Sequence, residues 1–399
     1  MKKIQKWLSN YWGVILTAVG GSGAALFLLL FKIKSINGGD SLQEITLHNQ
    51  LVTKSYSVDY LFHHLVFAPY TIGLIILEHL HLTSVSDIRI IGAFFGLISV
   101  LLFFYIIWRW YGSLIAIFAS FIFVDNLWFL QNTRAGGMSS LFALALLLMI
   151  AGGFLLRKNS HRGINLAITA IIAASSLYIP GMIWLLILSI VWQRKYIADE
   201  LKRLPVILKI SVVLVFIAVV TPLAWSSYQS LGLLKDLSGV GSAPFNPRHY
   251  LDRFINLPLQ VFIRNNTSNQ FSLGHLPYIN VFADAMILLG IYGLWVQKKF
   301  DRLKLMIAGL ILFWILIAFN GSVNAFVLMP IIFLFIAAGM SYLLNEWFRV
   351  FPRNPVARSL GITLFTVLIA IVGFYHYDQF FVAWPHTTNA LSAYSQHIR

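Results

Sequence analysis

The sequence predicts an all-α polytopic membrane protein of about 11 transmembrane helices, with amphipathic helices in its first outer loop. Three observations predict it. Of 399 residues, 59% are apolar and 11% charged, with a mean hydropathy of +0.79, whereas an ordinary globular domain is roughly 45–50% apolar. The apolar residues gather into runs of up to about 20, the length that crosses a hydrocarbon core of ~30 Å. The 29 lysines and arginines outnumber 14 acids for a net charge of +15, and they cluster briefly between the runs, as membrane loops do. So few charges cannot solvate a soluble exterior, which excludes a soluble enzyme, and disorder, collagen and a coiled coil fall with it. The basic clusters report topology and exclude a nucleic-acid partner. With no cysteine, disulfides, thiolate metal sites and a cysteine nucleophile are absent.

Lys2, Lys3 and Lys6 precede the first span, 11–31, which is long enough to be an anchor and not a cleaved leader. Ten further runs follow at 88–107, 113–130, 138–156, 164–179, 181–192, 206–225, 278–296, 305–319, 325–344 and 360–375. Segment 60–81 is also long enough to cross, but His63, His64, Glu78, His79 and His81 are expensive at membrane depth. With that segment on the surface, 19 of the 29 basic residues fall in cytoplasmic loops; with it spanning, only 10 do. The positive-inside rule selects the surface. The N-terminus is then cytoplasmic and the C-terminus extracytoplasmic, in a multi-pass protein of the plasma (inner) membrane. The small size suggests a prokaryotic source. Residues 1–399 read as one domain with no appended soluble unit. Its outer face carries loops of about 32–87 and 226–277, a short turn at 131–137 and a tail of about 378–399. Gly92 and Gly96 form a GxxxG pair, read as close packing within the bundle in preference to a dimer contact.

Chemistry is expected on the outer face, where ten of the 14 acids lie near loops. Asn37-Gly38-Gly39-Asp40-Ser41-Leu42-Gln43-Glu44 places a carboxylate just beyond a membrane exit, and Asp40 and Glu44 are spaced to share one helical face. Asp40 is either a base meeting lipid-borne substrates or the cap of a helix starting at Ser41. His63 and His64 are read as a headgroup-facing stripe, with a metal role the lesser alternative. Arg134, in a short turn between spans, suits a lipid-linked phosphate. Arg248, Arg253 and Arg264 of the second large loop are further candidates. The span interiors 90–107, 138–156, 164–193, 210–234, 305–345 and 360–375 hold no Asp, Glu, Lys or Arg, which disfavours an ion-coupled transporter. No G-x-x-x-x-G-K-[ST] or G-x-G-x-x-G nucleotide motif is present.

The order of these features resembles the GT-C superfamily of polytopic glycosyltransferases, in particular its protein O-mannosyltransferase and aminoarabinose-transferase-like branch. The resemblance is carried by a basic N-terminus and one span, an outer loop opening with Gly39-Asp40, and a histidine/proline stretch from His63-His64 to Pro69. It continues through Ser86-Asp87-Ile88-Arg89 entering a span, the turn Trp108-Arg109-Trp110-Tyr111-Gly112, and Arg134 in the next outer turn. At the far end Tyr377-Asp378-Gln379-Phe380-Phe381-Val382-Ala383-Trp384-Pro385 is similar to an aromatic stretch that follows the last span in this group. The family's double acid reads here as Asp40-Ser41, its tandem proline after the histidine is replaced by Leu65-Val66, and a lysine near the end of the fifth span is missing from Ser175-Ser176-Leu177-Tyr178-Ile179-Pro180.

The resemblance implies a GT-C-like bundle and a sugar donor carried on polyprenyl phosphate. The sugar passes with inversion to a lipid, glycan or protein acceptor on the outer face. It implies Asp40 as the base, with Glu44 beside it, and His63, His64, Arg89, Arg134, Arg248, Arg253 and Arg264 as substrate-binding candidates. No cofactor is certain, and a divalent metal stays open. A transporter or lipid flippase, or another outer-face lipid-dependent transferase, fits the same composition; turnover without chemistry separates the first from the enzyme.

Overall fold

The computed structural model describes residues 20–33, 40–53, 58–63, 65–157, 162–240, 246–265, 272–319 and 321–394, with the side chains of 58, 59, 63, 162, 200, 201 and 231 excluded. The fold is all-α and polytopic, and every expected apolar run with described residues is helical.

The first span is described as α1, Gly20–Leu30. Three short helices of the first loop follow, α2 (Leu42–Val52), α3 (Val58–His63) and α4 (Ala68–His79). Then come α5 (Val85–Tyr111), α6 (Ser113–Asp125), α7 (Leu127–Arg134), α8 (Ser140–Leu156), α9 (Arg162–Ser176), α10 (Met182–Arg203) and α11 (Val206–Gln229). The second loop forms α12 (Leu231–Ser238) and α13 (Pro247–Pro258) with a π-helical turn at Leu259–Ile263. The last spans are α14 (Val281–Val296), α15 (Phe300–Ala318), α16 (Leu328–Val350) and α17 (Pro355–Asp378), and the tail ends in α18 (Thr388–Ala393).

Helices α5, α11, α16 and α17, the last two with adjoining short turns, are by themselves long and apolar enough to cross a membrane, and the bent pair α6–α7 makes a fifth crossing if taken as one span. Helices α8, α9 and α14 are apolar but shorter. The eleven-span count therefore rests on the alternation of basic loops, not on helix length alone.

Segment 60–81 breaks into two pieces. Phe67 adopts a left-handed conformation (φ 60°) at the entry to α4, and Pro69 occupies the first turn. At 12 residues, α4 is ~18 Å long, short of the ~30 Å hydrocarbon core. Instead it packs on α5, with Tyr70 and Leu74 fully buried.

Two close crossings set the bundle. Helices α14 and α16 meet backbone to backbone, because a Cβ on Gly290 would lie 2.1 Å from the Phe335 carbonyl oxygen and one on Gly339 2.0 Å from that of Met286. The GxxxG pair makes the second: a Cβ on Gly92 would come within 2.6 Å of the Thr133 carbonyl oxygen, and one on Gly96 within 2.9 Å of the Thr133 side chain. These glycines seat α5 against α7 inside the chain, as small residues do in membrane bundles.

The expected outer turn 131–137 is corrected by the structure. Residues 127–134 are helix α7, and run 113–130 is not straight: it breaks after Asp125 with a 61° bend. Asn126 is extended and its side chain accepts a 3.0 Å hydrogen bond from the Trp128 amide, starting a new helix where the old one ends. All eight residues of α7 are buried.

Candidate functional site

The site is organised by Arg89, in the first turns of α5. Its side chain is fully buried. Nε donates to Glu44 Oε1 at 2.7 Å and Nη2 to Glu44 Oε2 at 2.9 Å. Nη2 also reaches Asp40 Oδ1 at 3.1 Å, and Nη1 donates to the Ile33 carbonyl at 3.1 Å. One guanidinium thus ties the exit of the first span, Asp40 and the start of α2 together, using the fork geometry that lysine lacks.

The two acids fare differently. Glu44 is wholly buried, forms a bidentate pair with Arg89, and closes a capping box in which Ser41 Oγ accepts from the Glu44 amide and Glu44 Oε2 accepts from the Ser41 amide. The helix is therefore capped by Ser41 and not by Asp40, which corrects the capping alternative. Asp40 keeps 20% side-chain exposure against Arg89, so Asp40 holds the accessible carboxylate of the pair. Behind Glu44 stands Gly136 (φ +51°), where a Cβ would press within 3.0 Å of Glu44 Cγ; its carbonyl accepts from Tyr70 Oη at 2.7 Å.

Arg134 is also buried, 1% exposed, where the sequence suggested a cation at the membrane surface. Nη1 donates to the Leu28 carbonyl at 3.1 Å and Nη2 to the Phe31 carbonyl, satisfying carbonyls at the end of α1 that the helix itself leaves open. Its guanidinium lies 4.9 Å from the Phe380 ring centroid and 5.1 Å from that of Phe381. The aromatic stretch after the last span is thus a wall of this site. Phe380 stacks on Trp384 at 5.2 Å, and Trp384 meets Tyr394 edge-on at 5.9 Å. Tyr394 faces Glu44 and Arg89; burial first, and then the Glu44 charge, push its phenol above the ordinary tyrosine range.

The second loop reaches this wall through its end: Asn389 Nδ2 donates to Ser272 Oγ at 2.8 Å. Arg248 and Arg253, by contrast, are exposed on α13, a helix that packs on α15 and is tied to it by Trp314 Nε1 donating to the Phe254 carbonyl at 2.9 Å. Arg264 is exposed at the end of the π-helical turn. No contact joins these three arginines to Asp40 among the described residues. His64 lies outside the described residues, and His63 is described only as the last backbone residue of α3. Among the described residues no three His, Asp or Glu side chains cluster as metal ligands.

Sequence reasoning singled out neither Tyr394 nor Lys32. Lys32 is exposed, in a left-handed conformation (φ 54°), with its ammonium 5.5 Å from the Phe31 ring centroid. It sits between Phe31 and Ile33, whose carbonyls Arg134 and Arg89 hold. A basic residue directly past a span end reads as an ordinary snorkelling side chain, so only the clamp on both its neighbours singles it out.

The fold is an all-α bundle in which the segment after the first apolar helix is pinned to α5 by a buried arginine. Among solved structures it is similar to "Crystal Structure of ArnT from Cupriavidus metallidurans bound to Undecaprenyl phosphate", with a TM-score of 0.52 and 13% sequence identity over 94% of this chain and 77% of that one. At that identity the likeness speaks to the fold. No family model and no curated protein matches the sequence.

Proposed function

We propose that the protein is a glycosyltransferase that moves a sugar from a polyprenyl-phosphate donor to a lipid, glycan or protein acceptor on the outer face of the membrane. The observation that carries this reading is the state of Asp40: a part-exposed carboxylate fixed by a buried arginine at the membrane exit of the first span, on a fold shared with a protein solved bound to undecaprenyl phosphate.

The acceptor hydroxyl gives its proton to the Asp40 carboxylate as its oxygen forms a bond to the anomeric carbon. The anomeric carbon–oxygen bond to phosphate breaks on the opposite side, and polyprenyl phosphate leaves with the bonding pair. Single displacement inverts the sugar. A positioned base contributes typically ~10²–10⁴-fold, and cations at the departing phosphate stabilise its developing charge. Arg89, held on its other edge by Glu44, orients Asp40. Arg134 is engaged with two backbone carbonyls and positions the exit of α1, so exposed Lys32 is the cation this reading assigns to the phosphate. The sugar arrives activated on lipid, which is why no nucleotide fold is required.

The test is release of free polyprenyl phosphate by purified protein in liposomes supplied with a panel of polyprenyl-phosphate sugars. Wild type is expected to release it, Asp40→Asn to fall by at least ~10²-fold with its melting temperature retained, and Lys32→Gln to fall less. Equal release by Asp40→Asn would overturn the assignment of the base.

A further inference from the structure

A cavity of about 240 Å³ opens at the end of the bundle away from Asp40. Arg89 and Arg109 mark the two ends of α5, twenty residues apart and thus ~30 Å along the helix, and Arg109 lines the cavity. Nothing in the transfer reaction uses this end.

Its mouth is cationic and aromatic. Arg109, Arg157 and Arg302 line it with one acid, Asp301. The Arg302 guanidinium lies 5.1 Å from the Trp110 ring centroid and 5.8 Å from that of Tyr111. The Lys299 ammonium is 5.7 Å from the same Tyr111 ring, and burial and then Arg302 hold its pKa below the ordinary lysine range. Arg302 Nη1 and Gln193 Oε1 are buried without a hydrogen-bond partner. A buried polar group left unsatisfied costs about 1–3 kcal/mol, and an incoming phosphate oxygen at Arg302 Nη1 removes one such cost. Deeper in, the lining turns apolar, with Leu146, Met149, Leu185, Leu305 and Leu334.

We infer that this cavity binds a phosphorylated amphiphile drawn from the membrane leaflet at that end of the bundle, its phosphate held by Arg109, Arg157 and Arg302 and the start of its hydrocarbon chain against Leu146 and Leu305. Guanidinium forks match phosphate oxygens in geometry and charge. Apolar lining gives the chain a gain in buried area that a free phosphate lacks. The volume lies below the ~300–1,000 Å³ of sites that enclose a whole drug-sized ligand, so the headgroup and first methylenes enter while the rest of the chain stays in the bilayer. The site is independent of the glycosyltransferase reading and survives its failure.

The test is native mass spectrometry of the full chain in a non-ionic detergent, titrated with dioleoyl phosphatidic acid, with dioleoylglycerol and with inorganic phosphate as competitor. Phosphatidic acid is expected to give one saturable adduct that dioleoylglycerol does not give at the same concentration and that millimolar phosphate does not displace. The pair Arg157→Gln with Arg302→Gln is expected to weaken the adduct at least tenfold. Ser189→Phe, which fills the cavity from α10 and removes no charge, is expected to weaken it as much and decides the question if the arginine pair fails to fold. Equal adducts with dioleoylglycerol, an adduct indifferent to Ser189→Phe, or displacement by millimolar phosphate would each overturn the proposal, the last by identifying a soluble phosphate ligand instead.

Discussion

Arg89 separates two carboxylates that the sequence presents as equivalent. Glu44 and Arg89 are both fully buried, so removing Glu44 takes away the bidentate partner and leaves Arg89 only its single contact to Asp40, a loss that approaches the about 3–5 kcal/mol of a broken buried pair. Asp40 is partly exposed, and its loss leaves Arg89 still neutralised by Glu44. Glu44→Ala is therefore expected to lower the melting temperature sharply in detergent, and Asp40→Asn to shift it little, about 1 kcal/mol or less, while activity falls in both. A melting temperature equally low for both would mean that Asp40 is a structural partner and not a reacting group. Gly136 makes a related prediction. Its φ of +51° is strained for any L side chain, and a Cβ there meets Glu44 Cγ at 3.0 Å and Oε1 at 3.2 Å. Gly136→Ala is expected to push Glu44 off Arg89 and reduce transfer by an order of magnitude or more without touching Asp40, read as turnover against wild type at saturating donor. The sequence spaced Asp40 and Glu44 as if on one helical face, but α2 starts at Leu42 with Ser41 as its cap, so Asp40 lies outside the helix and the two acids meet through a shared partner instead. It could not show that the partner lies 45 residues away, because a contact between distant chain positions leaves no trace in local spacing.

At the scale of elements, α7 links the packing of the bundle to the site. It is a buried half-length helix gripped by the two glycines of α5 on one side, and it ends in Arg134, which holds the carbonyls of Leu28 and Phe31. A Cβ at Gly92 would stand 2.6 Å from the Thr133 carbonyl, one residue before Arg134. Gly92→Ala is expected to displace α7, loosen the exit of α1 and reduce both melting temperature and transfer. Gly21→Ala is the matched control: nothing lies within 4 Å of a Cβ there, and it is expected to be neutral in both measurements. Equal loss in the two variants would show that the crossing of α5 and α7 is not what positions the site. The helices were legible in the sequence because apolar runs and basic punctuation are local signals. The break at Asn126 was not, since the polar pair Asp125-Asn126 inside a strongly apolar run barely changes its average, and α7 was accordingly read as the end of a span and a turn. The aromatic stretch from Tyr377 onward was legible as a feature of the chain end, but its use as a wall from Arg134 through Phe380 and Trp384 to Tyr394 is a tertiary fact.

Across the whole molecule, whether the second large loop and the tail share a side of the membrane with Asp40 turns on segment 60–81. The break at Phe67 and the 12-residue length of α4 favour a segment that lies along the bundle, which keeps 19 of 29 basic residues on the cytoplasmic side. Were the segment to cross, every later loop would change sides: the second large loop would face the cytoplasm while Asp40 stayed outside, and the contact between Asn389 and Ser272 would belong to the face opposite Asp40. Tyr394, five residues further on, faces Glu44 and Arg89, so a crossing at 60–81 would put the tail and the acids it covers on opposite sides of the bilayer. The proximity of Tyr394 to Glu44 and Arg89 supports the surface assignment. The chain contains no cysteine, so single cysteines report sidedness without background. In intact cells Ser238→Cys, at the end of α12, is expected to react with a membrane-impermeant maleimide. Ser359→Cys, exposed in the first turns of α17, is expected to react only after the membrane is opened. The reverse pattern would place the second large loop on the cytoplasmic side and carry the tail with it, leaving the proximity of Tyr394 to Glu44 as the observation to be explained.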